Sequence, residues 1–248
     1  MFAAPSAEQT AEFRQTCKTL KALADKYNLA TRAGFTRLAD TVGWLCGGEE
    51  IAMLGLEKPN LLRRLLELIS NWHLKGMETV MDIRPDIYVQ GEWYGTPFLS
   101  PSLFDDFYAP VLRKYVDLAH QGGAKFCYLG TANMMPFLGS LKKLGVDVIY
   151  AIDPIQGNWD FPKAKADLGR DVALWGGVNA YLQVVDGTEQ DVEKATRYAM
   201  ETLAHDGGFI LSPVDDTKVW DESIGTYADW KKVEHNVRHM VKVWKELR

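Results

Sequence analysis

Leu144-Gly145-Val146-Asp147-Val148-Ile149-Tyr150-Ala151-Ile152-Asp153 decides the fold. Residues 133–144 read as a helix that Gly145 closes, because glycine tolerates the left-handed backbone of a helix end. The run 146–152 is apolar nearly throughout and too short for a helix, so it reads as a strand buried on both faces. Downstream the same order repeats. A helix over 161–168 ends at Gly169, and a strand covers 172–178. A helix over 188–204 opens on Thr188-Glu189-Gln190-Asp191, which resembles a capping signal, and ends at Gly207-Gly208. A strand then covers 209–213. The last helix carries Trp230, Val233, Val237, Met240, Val241, Trp244 and Leu247 on one stripe.

Upstream the alternation holds. Residues 59–80 place Leu62, Leu65, Leu66, Ile69, Trp72, Gly76, Met77 and Val80 at helical spacing. Pro59 suits the first turn, where its missing N–H has no partner to lose. A strand over 85–91, a helix over 102–121 closed by Gly122-Gly123, and a strand over 124–130 follow. A weaker strand, 27–34, comes after a leading helix that reaches residue 26. Apolar strands separated by helices predict an α/β fold with a parallel sheet, open or closed into a barrel. Six strands are visible; a (β/α)8 barrel needs two more.

The chain has 248 residues, enough for one such domain over 1–248. With 28 Lys and Arg against 33 Asp and Glu, the net charge is −5. That balance argues against a nucleic-acid-binding face. No window reaches the 18 or so apolar residues of a membrane span, and the first residues lack a basic and an apolar region of a secretion signal. Cys17, Cys46 and Cys127 are too scattered for a disulfide framework, so a reducing, cytoplasmic location is expected.

Parallel α/β folds bind ligands outside the carboxyl ends of their strands. The residues read there are Arg32 and Gly34; Glu92, Trp93 and Tyr94; Gly130, Thr131 and Asn133; Asp153; Gly177 and Asn179; and Ser212, Asp215 and Asp216. Carboxylates at three of these ends suit acid/base work or recognition of a polar ligand. Asp and Ser in such places also cap the helices that follow. Glu92, beside two aromatics, is the foremost functional candidate, with Asp153 and Asp215 after it; Glu92→Ala is expected to abolish ligand binding with little cost in stability. Metal binding has little support. His235 and His239 sit among Lys231, Lys232, Arg238 and Lys242 on a solvated face, and His73, His120 and His205 read as surface or helix-end groups. Cys127 reads as a core thiol.

Several of these stretches together resemble the uroporphyrinogen decarboxylase superfamily, which includes the cobalamin-dependent methyltransferases. They are Gly95-Thr96-Pro97-Phe98-Leu99-Ser100-Pro101-Ser102-Leu103-Phe104 with Pro110, Gly122-Gly123-Ala124-Lys125, and Leu144-Gly145-Val146-Asp147. Leu174-Trp175-Gly176-Gly177-Val178-Asn179 and Gly207-Gly208-Phe209-Ile210-Leu211-Ser212-Pro213-Val214 complete the set. The resemblance implies a TIM (β/α)8-type barrel, here from about its third strand, with a cleft for a tetrapyrrole or corrinoid. It implies decarboxylation of uroporphyrinogen acetate groups, but the arginine and aspartate that decarboxylases carry on their first two strands have no counterpart here. Nor does the histidine they carry after the last strand, which falls at Val214-Asp215; the strand-end reading leaves Glu92, Asp153 and Asp215 as the acids. Arg32, Trp44, Trp93, Tyr94, Thr131, Asn133, Asn179 and Ser212 would contact substrate. Trp44 falls near the tyrosine that decarboxylases carry after the third strand. The zinc-binding His-x-Cys of the methyltransferases aligns with Leu129 and Thr131, and no cysteine lies near Ser212, so a zinc-thiolate mechanism is not expected. The alternatives are corrinoid-dependent methyl transfer without zinc, through a partner protein, and a non-catalytic binding or assembly module. Two exposed sheet edges predict a homo-oligomer.

Overall fold

The computed structural model describes residues 6–92, 99–131, 133–217, 220–221, 226–227 and 230–248. The first part of the chain forms α1 (Ala7–Lys26), β1 (Arg32–Thr36), α2 (Leu38–Cys46), α3 (Gly48–Glu57), α4 (Pro59–Met81) and β2 (Ile87–Glu92). The short α5 (Pro101–Leu103), α6 (Ala109–Gln121), β3 (Lys125–Gly130), α7 (Leu138–Lys143) and β4 (Val148–Ile152) follow. Next come α8 (Phe161–Leu168), β5 (Ala173–Asn179), α9 (Glu189–Leu203), β6 (Phe209–Val214), β7 (Trp220–Asp221), β8 (Thr226–Tyr227) and α10 (Trp230–Leu247). The first six strands make one sheet in chain order, β1-β2-β3-β4-β5-β6, and β7 pairs with β8 in a small antiparallel ribbon.

The chain divides into two compact units. The first comprises Met1–Leu129 and Gly139–Val148. Its β1 and β2 pair in parallel, Arg32 beside Ile87 and Thr36 beside Gln90, with an irregularity between. Helix α4 buries Leu62, Leu66, Ile69 and Met77; α6 buries Val111, Leu112, Tyr115 and Val116. Each such apolar side chain taken from water contributes about 1.5–3 kcal/mol. Ser6 and Gln9 close a capping box at the start of α1, yet no residue of that helix is buried.

The second unit comprises Gly130–Leu138 and Ile149–Arg248. Here β5 and β6 run parallel, with Gly177 beside Ser212 and Asn179 beside Val214. Val178 joins Val184, Val192, Ala195, Val233 and Met240 in one cluster, so this face of β5 is the one that α9 and α10 cover. Strand residues alternate between faces, which turns Asn179 away from that cluster. The Thr188 capping box expected from sequence is present, closed by Asp191.

Three expectations need correction. The first strand begins at Arg32, not near residue 27: α1 caps on Tyr27, and Asn28 turns the chain with φ +53°. Arg32 therefore stands at the amino end of β1, and Gly34 mid-strand, neither at a carboxyl end. The helix expected over 133–144 is a 3-10 turn, Met135–Phe137, followed by α7; Pro136 cannot donate to a continuous helix. His73 is not a surface group. It is buried within α4, 3.1 Å through Nδ1 from the Tyr115 hydroxyl.

Candidate functional site

In the first unit the decisive side chain is Glu92, the last residue of β2. Tyr88, Gln90 and Glu92 alternate onto one face of that strand. Tyr88 shares a cavity on that face with Trp72, His73 and Met77 of α4, so the face is the one the helices cover. The Glu92 side chain is buried. Its Oε1 accepts the backbone N–H of Leu38 at 2.8 Å and of Ala39 at 3.1 Å, and Oε2 accepts that of Asp40 at 2.9 Å. These are the first three N–H groups of α2, which its own N-cap, Arg37, leaves without a side-chain acceptor. Glu92 caps the helix from another strand. Burial, with Asp40 nearby, pushes its carboxyl up to about 8, against the pull of the backbone donors.

Behind the carboxylate runs a chain of hydrogen bonds. The Tyr88 hydroxyl donates to Thr36 Oγ1 at 3.2 Å, Thr36 Oγ1 donates to Gln90 Oε1, and Gln90 Nε2 donates to Glu92 Oε1 at 2.5 Å. The i, i+2 spacing of Tyr88, Gln90 and Glu92 was a signal that sequence reasoning passed over. Where the sequence suggested a side chain facing a ligand, both oxygens of Glu92 are engaged in holding up a helix. Trp44 lies on α2, largely exposed, with the Arg37 guanidinium 5.2 Å from its ring centre. Arg32 is exposed on β1.

The second unit holds the carboxyl ends of β4, β5 and β6. Asp153, directly after β4, is buried; its Oδ1 accepts the N–H of Ile155 at 2.8 Å and of Gln156 at 3.1 Å. Its Oδ2 accepts the Asn179 side-chain amide at 2.7 Å. Asn179, last in β5, uses its Oδ1 to accept Leu182 N–H, capping the π-helical turn Ala180–Val185. Asp153 and Asn179 are thus brought together, each fixing the loop behind its strand. Ser212 Oγ is buried and meets no hydrogen-bond partner among the described residues. Asp215 follows β6 directly, exposed, at φ +74°, with Oδ1 accepting the N–H of its neighbour Asp216 at 2.9 Å.

Two glycines shape these ends. Gly176 has φ +139°, and a Cβ there would stand 2.7 Å from the Ile152 carbonyl oxygen; at Gly177, φ +100°, it would stand 2.9 Å from the Ala199 Cβ. Only glycine accepts both the angles and the close approach.

Of the remaining expected residues, Thr131 is half-buried after β3, and Asn133 is exposed, its Oδ1 accepting Met135 N–H at 3.1 Å. Trp93 and Tyr94, with residues 95–98 of the 95–104 stretch, lie outside the described residues. Leu129 and Cys127 are buried in β3, where burial pushes the thiol up to about 12.

Residues 4–214 match the family model of uroporphyrinogen decarboxylase (URO-D). The chain belongs to that family. Among solved structures, a methyltransferase from Methanosarcina mazei superposes with a TM-score of 0.70 at 14% identity, over 92% of this chain and 64% of that one. The chain therefore spans less than two thirds of that methyltransferase's length. A D-psicose 3-epimerase determined in the presence of D-fructose superposes with a TM-score of 0.59 at 13% identity, over 94% of this chain and 84% of that one. The URO-D chain shares with them an α/β fold of the TIM-barrel type. No match was found among curated proteins. No described helix is long and apolar enough to cross a membrane.

Proposed function

We propose that this URO-D family member binds a tetrapyrrole-type ligand at the carboxyl ends of its strands and removes carboxyl groups from its acetate side chains. Asp215 carries the reading. Glu92 and Asp153 have their oxygens engaged by backbone donors, whereas Asp215 stands exposed at the end of β6. Loss of CO2 from a pyrrole acetate breaks a C–C bond and leaves a carbanion-like carbon that must take up a proton. A carboxyl group beside the ligand can deliver it. The unpartnered hydroxyl of Ser212 is a donor for a ligand carboxylate, and Asn179 and Asp153 keep the neighbouring loops in place.

Uroporphyrinogen, incubated anaerobically with the protein, should yield porphyrins with fewer carboxylates on chromatography. Asp215→Asn should lower the yield at least tenfold while leaving the melting temperature unchanged. No product from the wild-type protein would refute decarboxylation.

The second reading is methyl transfer from a corrinoid held by a partner protein, prompted by the methyltransferase neighbour. It predicts a shift in the methylcobalamin spectrum on mixing. A third, a non-catalytic binding module, is favoured by the internal engagement of Glu92 and Asp153 and predicts tetrapyrrole binding without turnover. Each reading includes self-association, for which the edge strands β1 and β6 are the motive; a monomer in sedimentation would count against it.

A further inference from the structure

We infer that the first unit holds a separate ligand site, a cavity of about 760 Å³ between α1, α4 and β1, and that its ligand is an aromatic anion of small-molecule size. The volume falls within the usual span of ligand pockets. The cavity exists because α1 buries none of its residues and so does not fill the space beneath it.

Its walls name the ligand class. Phe13 of α1 and Trp72 of α4 present rings to it, with the buried Tyr88 of β2 in the wall behind, and such rings are surfaces on which a flat ligand stacks or meets edge to face. Arg32 and Lys75 bring positive charge, and among the described residues lining the cavity there is no Asp or Glu. In a chain of net charge −5, that is a selective environment for an anion. His73, in the same wall, is kept neutral near pH 7, since burial pulls it down to about 4.

Gly76 is the independent sign. It lies inside α4, where glycine is the poorest helix former after proline, and it lines the cavity. A Cβ placed there meets no atom within 4 Å. Neither a turn nor a close approach requires this glycine, and any side chain would take up ligand space. An open volume is what its presence preserves. The Tyr88–Thr36–Gln90–Glu92 hydrogen-bond chain leads from the cavity wall to the start of α2, so an occupant touching Tyr88 also bears on the cap of that helix.

The test uses the full chain and two dyes of one shape, the anion 8-anilinonaphthalene-1-sulfonate and the uncharged N-phenyl-1-naphthylamine. The sulfonate should bind saturably at one per chain and protect Cys17, which lines the cavity, from alkylation as read by peptide mass spectrometry. Gly76→Phe should weaken binding of both dyes at least tenfold while raising the melting temperature. Should that variant fail to fold, Thr10→Trp fills the cavity from the opposite wall and carries the same expectation. Arg32→Gln with Lys75→Gln should weaken the sulfonate at least fivefold and leave the neutral dye within twofold. Sulfonate binding that is absent, non-saturable, or unchanged in the filled variants would overturn the site; equal loss of both dyes in the charge variant would overturn the anion preference.

Discussion

The carboxylate of Glu92 accepts the backbone N–H of Asp40 at 2.9 Å, so one buried acid anchors the helix that carries another. The two carboxyl groups sit in one low-dielectric pocket with the Tyr108 and Tyr128 phenols, whose pKa values rise through burial and the nearby Glu92 charge. Glu92 is a tie between β2 and α2 across more than fifty residues of chain.

Removing that tie should unfold more than it disarms. Glu92→Ala leaves the N–H groups of Leu38, Ala39 and Asp40 buried without an acceptor, and each such group costs about 1–3 kcal/mol. The expected loss is about 3–5 kcal/mol in urea denaturation, opposite to the mild effect that a ligand-facing side chain predicts. A loss below about 1 kcal/mol would show that α2 does not depend on it.

The same group sets a pH dependence. Its folded pKa of about 8 lies above the ordinary 4.5, so the folded state holds the proton more tightly than the unfolded chain. The stability this contributes is full below about pH 4.5 and is lost as pH rises through 8. Between pH 7 and 9, denaturation should report a loss of about 1 kcal/mol, the scale of one proton over one pKa unit. Glu92→Gln should flatten that slope. His73, depressed to about 4 from 6.5, works in the other sense, its contribution being lost as pH falls from 6.5 through 4. It does not titrate in the alkaline window.

Asp153 and Asn179 form the corresponding tie in the second unit. Asp153→Ala strands the Ile155 and Gln156 N–H groups and the Asn179 amide, a loss of about 2–4 kcal/mol. Asn179→Ala should cost less alone. The double variant should lose less than the sum of the two, because they share a bond. Strict additivity would contradict the pairing.

Gly176→Ala should be among the costliest single-methyl additions. Its methyl would meet the Ile152 carbonyl at 2.7 Å and the Val214 side chain at 2.8 Å, at φ +139°. Strain of this sort runs to about 1–3 kcal/mol before any clash. A thermal melt unchanged from wild type would show that β4 and β5 can move apart.

The alternation of strands and helices was legible because most strands are short apolar runs and four helices end close to a glycine of positive φ: Gly123, Gly145, Gly169 and Gly207. The strands 124–130, 146–152 and 209–213 fall within two residues of β3, β4 and β6. The direction of Glu92 was not legible for the same reason that its strand was. Both faces of β2 are buried, so its polar side chains at Gln90 and Glu92 do not mark a solvent side, and only the folded chain shows Tyr88, Gln90 and Glu92 on the helical side. Asp153 and Asn179 lie twenty-six positions apart, and nothing local announces their hydrogen bond. The expected solvation of the final helix holds for His235, whereas the His239 side chain is only 10% exposed and faces Glu189 and Glu193.

Gly34 lies under the ring of Tyr88, close enough that a Cβ would fall 2.5 Å from it. The two positions are therefore a lock and key between adjacent strands, and neither can drift alone. In any relative that carries a side chain at the place of Gly34, the place of Tyr88 must hold something smaller. That exchange can be read directly from a set of family sequences, without a single further coordinate.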